Sequence, residues 1–237
     1  MGITTVLFDL DGTLLPMDQD VFVKAYFKGL AARLMPKGYE PQQLVQSIWT
    51  GTAAMVKNDG GCVNEQAFWK TFCGIYGEEA LQDFPVFEAF YAEDFDRVQV
   101  SCGFNAKADE TVKRLKAKGL RVALATNPIF PAVATEKRMK WAGLNKDDFE
   151  LYTTYENSCR CKPNPGYYQD ILAKLDVKAE ECLMVGNDVG EDMIAETLGM
   201  KVFLLTDCLI NKHDVDISRY PQGSFDALNQ YIDALVG

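Results

Sequence analysis

Two aspartates two residues apart, Asp9 and Asp11, follow directly on the apolar run Val6-Leu7-Phe8 and precede Gly12-Thr13. So short an apolar run before a polar turn predicts a buried strand that ends there. Carboxylates this close repel each other unless a cation or a phosphate site organises them. Gly12 lets the backbone turn sharply and brings amide N–H groups toward a bound anion. An acidic turn after a strand fits the same residues, because aspartate and glycine are ordinary turn formers. Three later segments bear on the choice. The run Leu120–Ala125 ends in Thr126-Asn127, and Lys162 stands in Cys161-Lys162-Pro163-Asn164-Pro165. The run Cys182–Gly186 ends in Asn187-Asp188, with Asp192 four residues further on. Taken singly, the first reads as a turn and Lys162 as a solvated loop lysine.

The elements that must position these residues follow from periodicity. From about residue 100 the pattern alternates. Helices are predicted over 106–118 and 131–142, closed by Gly119 and Gly143, and from Pro165 to about Leu175. Further helices are predicted over 190–198, ended by Gly199, and over roughly 224–235. Strands are predicted at 120–125, 149–153, 182–186 and 202–205. Strands alternating with helices argue for a parallel, doubly wound sheet. Residues 16–98 break that rhythm with four helical patterns and no strand. Their stripes are Val21, Phe22, Ala25, Tyr26, Gly29 and Leu30; Leu44, Ile48 and Met55; Ala67, Phe68, Phe72, Ile75 and Tyr76; and Val86, Phe87, Phe90, Tyr91 and Phe95. Aromatic stripes at helical spacing read as packing between helices.

The Asp9-x-Asp11-Gly12-Thr13 segment resembles the first motif of the haloacid dehalogenase superfamily. Thr126, Lys162 with its Lys-Pro-x-Pro context, and Asp188 with Asp192 match the other three motifs, in order and over the whole chain. The resemblance implies an α/β fold: a Rossmann-like doubly wound parallel sheet core with an all-helical cap domain. The core would comprise residues 1–15 plus 99–237 and the cap 16–98. The chain would cross between them at Pro16–Asp18 and Asp96–Gly103. The implied subgroup holds phosphoglycolate phosphatases and β-phosphoglucomutase-like enzymes. The implied activity is Mg²⁺-dependent hydrolysis of a small phosphorylated metabolite through an aspartyl-phosphate. Asp9 would be the nucleophile, and Asp11 the acid that protonates the leaving oxygen and then activates water. The family's dehalogenases lack an aspartate at that place. Asp9, the Asp11 carbonyl and Asp188 would hold Mg²⁺, which prefers hard oxygen ligands. Leu10, Asp11, Thr126, Asn127 and Lys162 would contact the phosphate substrate. Asn187 stands where the motif often carries an acid. It and Asp192 would support the metal site from behind its ligands. A phosphomutase uses the same nucleophile and cap, and a non-catalytic phospho-ligand-binding protein is the alternative outside enzymes.

Composition narrows the field. A chain of 237 residues with 48% hydrophobic and 24% charged residues is ordinary for a globular protein with a large core. The formal charge of −10 argues against non-specific nucleic-acid binding, which relies on neutralising phosphates with lysine and arginine. The basic cluster Lys113, Arg114, Lys116, Lys118 and Arg121 reads as a solvated helix face instead. No apolar run approaches the ~20 residues that span a bilayer, and the N-terminus has no basic leader, so a cytoplasmic protein is expected. Seven scattered cysteines read as free thiols in a reducing compartment. Cys159 and Cys161 cannot complete a zinc site in a chain with one histidine, His213. Arg160 and the turn Lys57–Gly61 are weaker candidates for facing the site. Oligomeric state is not legible here.

Overall fold

In the computed structural model, which describes residues 2–236, the N-terminal apolar run is strand β1 (Thr5–Phe8), in the interior of a parallel five-stranded sheet. The order is β2 (Arg121–Leu124), β1, β3 (Cys182–Gly186), β4 (Lys201–Leu205) and β5 (Gln222–Gly223). Leu7 pairs with Ala123 on one side and Met184 on the other. A parallel strand covered on both faces has no polar side, and every residue of β1 is buried. Alternation sorts its side chains between two cores. Val6 and Phe8 join Val112 and Leu115 of α5 (Ala106–Ala117) and Leu228 and Ile232 of α8 (Phe225–Val236). Leu7 joins Tyr167, Ile171 and Leu175 of α7 (Pro165–Leu175). The strand ends of β1, β2 and β3 therefore lie side by side, and each runs into one of the polar segments.

Residues 19–101 form helices joined by short turns. Helix α1 (Gln19–Leu34) starts at Asp18, whose carboxylate accepts from the Asp20 and Val21 N–H groups. It buries Phe22, Tyr26, Leu30 and Leu34. Val21 faces outward, one residue off that stripe. Helix α2 (Pro41–Val56) packs along α3 (Asn64–Tyr76), brought close by Gly51, where a Cβ would meet the Phe68 ring at 2.6 Å. Ile75, expected on the packed face of α3, is exposed. The short α4 (Phe84–Ala89) passes into a wider turn at 90–94 and a tight 3₁₀ segment at 95–101. The two crossings back to the sheet are tied together: Met17 bridges Cys102, and the Gly103 N–H donates to Pro16 O at 2.7 Å.

Two expected elements differ. Residues 149–153 run beside β2 through three backbone hydrogen bonds but form a single bridge, Leu124 to Tyr152, and no regular strand. The Thr153 hydroxyl turns inward to Thr126 O at 2.6 Å, and the chain leaves the sheet at Thr154, whose N–H is taken by Asn157 Oδ1. The expected helix 190–198 is a turn followed by a 3₁₀ segment, Met193–Leu198. Asp188 opens that turn, its side chain accepting from the Gly190 and Glu191 N–H groups and its carbonyl from the Asp192 N–H. Strand β5 was not expected. It is two residues long, too short to leave a pattern.

Candidate active site

Asp9 leaves β1 almost wholly buried, and each carboxylate oxygen has a partner. Lys162 Nζ donates to Oδ1 at 2.8 Å, and Thr13 Oγ1 donates to Oδ2 at 3.1 Å. Lys162 is itself buried and donates to Asp192 Oδ1 at 2.7 Å. Burial disfavours its charge, but Asp192 and Asp9 on either side outweigh that and hold the ammonium well above the ordinary lysine range. The loop that delivers Lys162 is fixed from behind. Asn164 caps α7 by accepting from the Gly166 N–H at 2.8 Å, with Pro165 at the first helical position. Tyr167 OH and Thr153 Oγ1 both hold the Thr126 carbonyl, at 2.8 and 2.6 Å, which fixes the end of β2.

The fourth segment divides its labour. Asp192 Oδ2 accepts the Asp188 N–H at 2.9 Å, so both its oxygens are committed within the protein. Asn187 accepts from Thr13 at 2.9 Å through Oδ1 and donates to Cys208 O at 2.7 Å through Nδ2. Gly12 needs its missing side chain: it has φ 86°, and a Cβ would lie 2.3 Å from Asn187 Nδ2. Half-buried Asp188 keeps a free donor atom. Its Oδ1 accepts from the Gly190 and Glu191 N–H groups at 2.8 and 3.0 Å, and among the described residues no protein donor reaches Oδ2.

Among the described residues no three carboxylate, imidazole or thiol groups converge tightly enough to cage an ion by themselves. The available donors are hard oxygens: the Asp9 and Asp188 carboxylates and the Asp11 carbonyl. That set fits Mg²⁺, which keeps several waters, better than a metal that wants a full protein cage.

Asp11 has a partner that sequence reasoning missed. Arg138 of α6 (Ala132–Trp141) is fully buried, and its guanidinium pairs with Asp11 Oδ2. It also lies 4.5 Å from the Phe130 ring centroid. The available signal was positional: Arg138 falls on the same face as Ala134, Thr135 and Met139, the apolar side of its helix. Burial raises the Asp11 carboxyl above the usual aspartate range, against the lowering effect of Arg138. Its Oδ1 is buried and meets no donor. If this atom carries the proton, Oδ2 still accepts from Arg138.

Removing one member of a buried pair strands the other, at about 3 kcal/mol. Arg138→Met is therefore expected to lower the urea midpoint markedly. Arg138→Met combined with Asp11→Leu should recover most of the loss. Equal destabilisation by the single and double variants would show that the pair is not coupled.

These residues line a cavity of about 350 Å³ beneath the helical segment. Asp9, Asp11, Thr126, Asn127, Asn187, Asp188 and Asp192 all border it. Lys162 and Leu10 are buried behind it, so Leu10 can face it only through its backbone. Glu191, which receives the Asn127 side-chain N–H at 3.0 Å, also lines it and was missed. Arg160 instead pairs with Asp170 at 2.8 Å and lies against Gly60, so the 57–61 turn packs on Arg160 away from the cavity wall.

The family model of the haloacid dehalogenase-like hydrolases matches residues 3–195. Among curated relatives, a phosphoglycolate phosphatase of Colwellia psychrerythraea is 26% identical over 231 residues, covering 97% of this chain and 96% of its own. The pyrophosphatase PpaX of Bacillus cereus is 27% identical over 203 residues, covering 85% and 82%. Among solved structures, the magnesium-bound HAD-hydrolase YfnB of Bacillus subtilis superposes with a TM-score of 0.56 at 15% identity, covering 98% of this chain and 100% of that one. With four polar segments gathered at the ends of a parallel sheet and a family match across most of its length, the chain belongs to the haloacid dehalogenase-like hydrolases.

Proposed function

We propose that this protein is a Mg²⁺-dependent phosphatase that hydrolyses a small phosphorylated metabolite, with Asp9 as the nucleophile. The observation that carries the reading is the buried Lys162 between Asp9 and Asp192, beside an Asp11 whose Oδ1 has no protein partner. Phosphatase names among the relatives, and magnesium in YfnB, point the same way.

Lys162 and Thr13 hold both oxygens of Asp9 and so fix the direction from which the carboxylate meets phosphorus. Thr126 would donate its hydroxyl to a phosphate oxygen, and the Asn127 N–H a second hydrogen bond. Lys162 adds a point charge where negative charge accumulates. Asp9, Asp188 and the Asp11 carbonyl would hold Mg²⁺, which when bound neutralises the repulsion between carboxylate and phosphate dianion. Asp11 passes a proton from Oδ1 to the leaving oxygen, then takes one from the water that cleaves the aspartyl-phosphate. Residues 16–98 serve as the cap, the paired crossings at Met17 and Cys102 as its hinge. Seven unpaired cysteines fit a reducing, cytoplasmic setting.

The test is chemical trapping. Acid-quenched turnover of an aryl phosphate with Mg²⁺, followed by borohydride reduction, is expected to convert residue 9 to homoserine. Chelator in place of Mg²⁺ should leave Asp9 unchanged and release no phosphate. Undiminished turnover in chelator, or turnover without modification at residue 9, would defeat the reading.

A further inference from the structure

The cavity wall that faces the leaving group has an unusual composition for a site that must bind an anion. Every residue that 16–98 contributes to it is uncharged. Phe22 and Phe27 come from α1, Trp49 from α2, Phe68 and Trp69 from α3, and Tyr91 from the turn beyond α4. The tyrosines are neutral as well: Tyr26 and Tyr91 share a 2.8 Å hydrogen bond, and burial pushes the Tyr26 hydroxyl up to about 12. The one cation bordering the cavity among the described residues, Lys212, sits on the loop tied to the Asp188 side by the Val189 N–H to Ile210 O bond of 2.9 Å. It belongs to the phosphate end. Arg138 is spent on Asp11 and is not among the lining residues.

Three buried side-chain polar atoms among the described residues lack a partner: Asp11 Oδ1, Asn127 Oδ1 and Trp69 Nε1. All three belong to residues lining this one cavity. Two sit at the phosphate end. The third is on the aromatic wall, in a residue 7% exposed. Burial holds the neighbouring Tyr155 hydroxyl neutral, well above the usual tyrosine range, and the Trp69 N–H works against this from nearby without closing a hydrogen bond to it. A buried indole N–H without an acceptor is costly, and a ligand oxygen would satisfy it.

Resting on the phosphatase reading, we infer that the substrate is the phosphate monoester of an uncharged, aromatic or bulky apolar alcohol. The apolar body fills the aromatic wall, and any second polar group on it is a neutral hydrogen-bond acceptor placed at Trp69. Hydrolysis breaks the P–O bond and releases the alcohol and inorganic phosphate, water supplying the oxygen and the proton. A leaving group that carries a carboxylate or a second phosphate, such as glycolate or phosphate itself, would be desolvated against aromatic rings with no cation to pair with. This chain therefore departs in substrate class from the relatives named for phosphoglycolate and pyrophosphate.

The experiment compares kcat/KM for benzyl phosphate, ethyl phosphate, 2-phosphoglycolate and pyrophosphate with the purified protein and Mg²⁺. The three esters all expel a primary alkoxide, so the comparison reads the wall rather than leaving-group reactivity. Benzyl phosphate is expected to exceed ethyl phosphate by roughly a hundredfold, the worth of burying a phenyl group. It should exceed 2-phosphoglycolate and pyrophosphate by at least as much. Trp49→Ala, at a lining residue that is half exposed and so dispensable for folding, should narrow the benzyl-to-ethyl ratio about tenfold. Equal or better turnover of 2-phosphoglycolate or pyrophosphate overturns the inference while leaving the phosphatase reading intact. If no ester is turned over, that reading falls, and binding decides the inference. Benzylphosphonate held more tightly than phosphonoacetate by calorimetry sustains the apolar wall, and no preference between them overturns it.

Discussion

Asp9→Asn is expected to abolish turnover and leave the fold standing. An amide is a poor nucleophile toward phosphorus, and deleting the nucleophile of a covalent mechanism costs roughly six orders of magnitude in rate. The geometry explains why the protein should tolerate the change. The amide oxygen of the new side chain can still accept from Lys162, and Lys162 keeps the Asp192 carboxylate at 2.7 Å on its other side. Mutual repulsion between Asp9 and Asp11, which raises the Asp11 carboxyl, is removed at the same time. Losses and gains oppose each other, so the melting temperature should move by only a few degrees. Circular dichroism and steady-state phosphate release on the same preparation check both halves. Substantial activity in a folded Asp9→Asn protein would assign the nucleophile elsewhere.

Asp11→Asn separates proton transfer from binding. The substitution keeps the backbone carbonyl proposed as a metal ligand and an oxygen for Arg138, but removes the acidic proton. Mg²⁺ affinity should change little, while the rate falls by roughly two to four orders of magnitude, the usual worth of general acid–base catalysis. The fall should be smaller for an aryl than for an alkyl phosphate, because a good leaving group needs less protonation. Single-turnover phosphoenzyme formation with the two esters measures this directly. Equal losses would show that Asp11 is not the acid.

Much of this arrangement was legible because strand ends and turns write themselves into local sequence. β1, β2 and β3 announced themselves as apolar runs, and the polar residues that follow each are those that meet in the structure. The helix expected over 190–198 is instead a turn between Asp188 and Asp192 followed by a 3₁₀ segment. Arg138 was not legible as an Asp11 partner because the pair spans 127 residues and forms only through the packing of α6. Its chain neighbours Lys137 and Lys140 are ordinary helix lysines, and nothing in type distinguishes Arg138 from them. Likewise, the stripes of 16–98 are compatible with helix packing alone. That Phe22, Phe27 and Trp49 also border the cavity depends on how the helices sit over the strand ends. The strand expected at 149–153 is cut short: its backbone bonds β2 at Val122 and Leu124, and the chain turns away at Thr154, whose N–H goes to the Asn157 side chain.

The position of β1 has a consequence for biogenesis. It leaves the ribosome well before the strands it pairs with, β2 at residues 121–124 and β3 at 182–186. Parallel pairing across such separations must wait for the intervening chain and contributes slowly to folding. Meanwhile 19–101 emerges as helices whose contacts are largely with one another, and local contacts form fast. The helical layer thus gathers while Thr5–Phe8, an apolar segment with two unpaired edges, remains exposed. An exposed apolar strand with unpaired edges is prone to aggregate, and that exposure precedes assembly of the strand ends. The surroundings of Asp9 wait until Asp192 has followed Lys162 out and these distant segments meet.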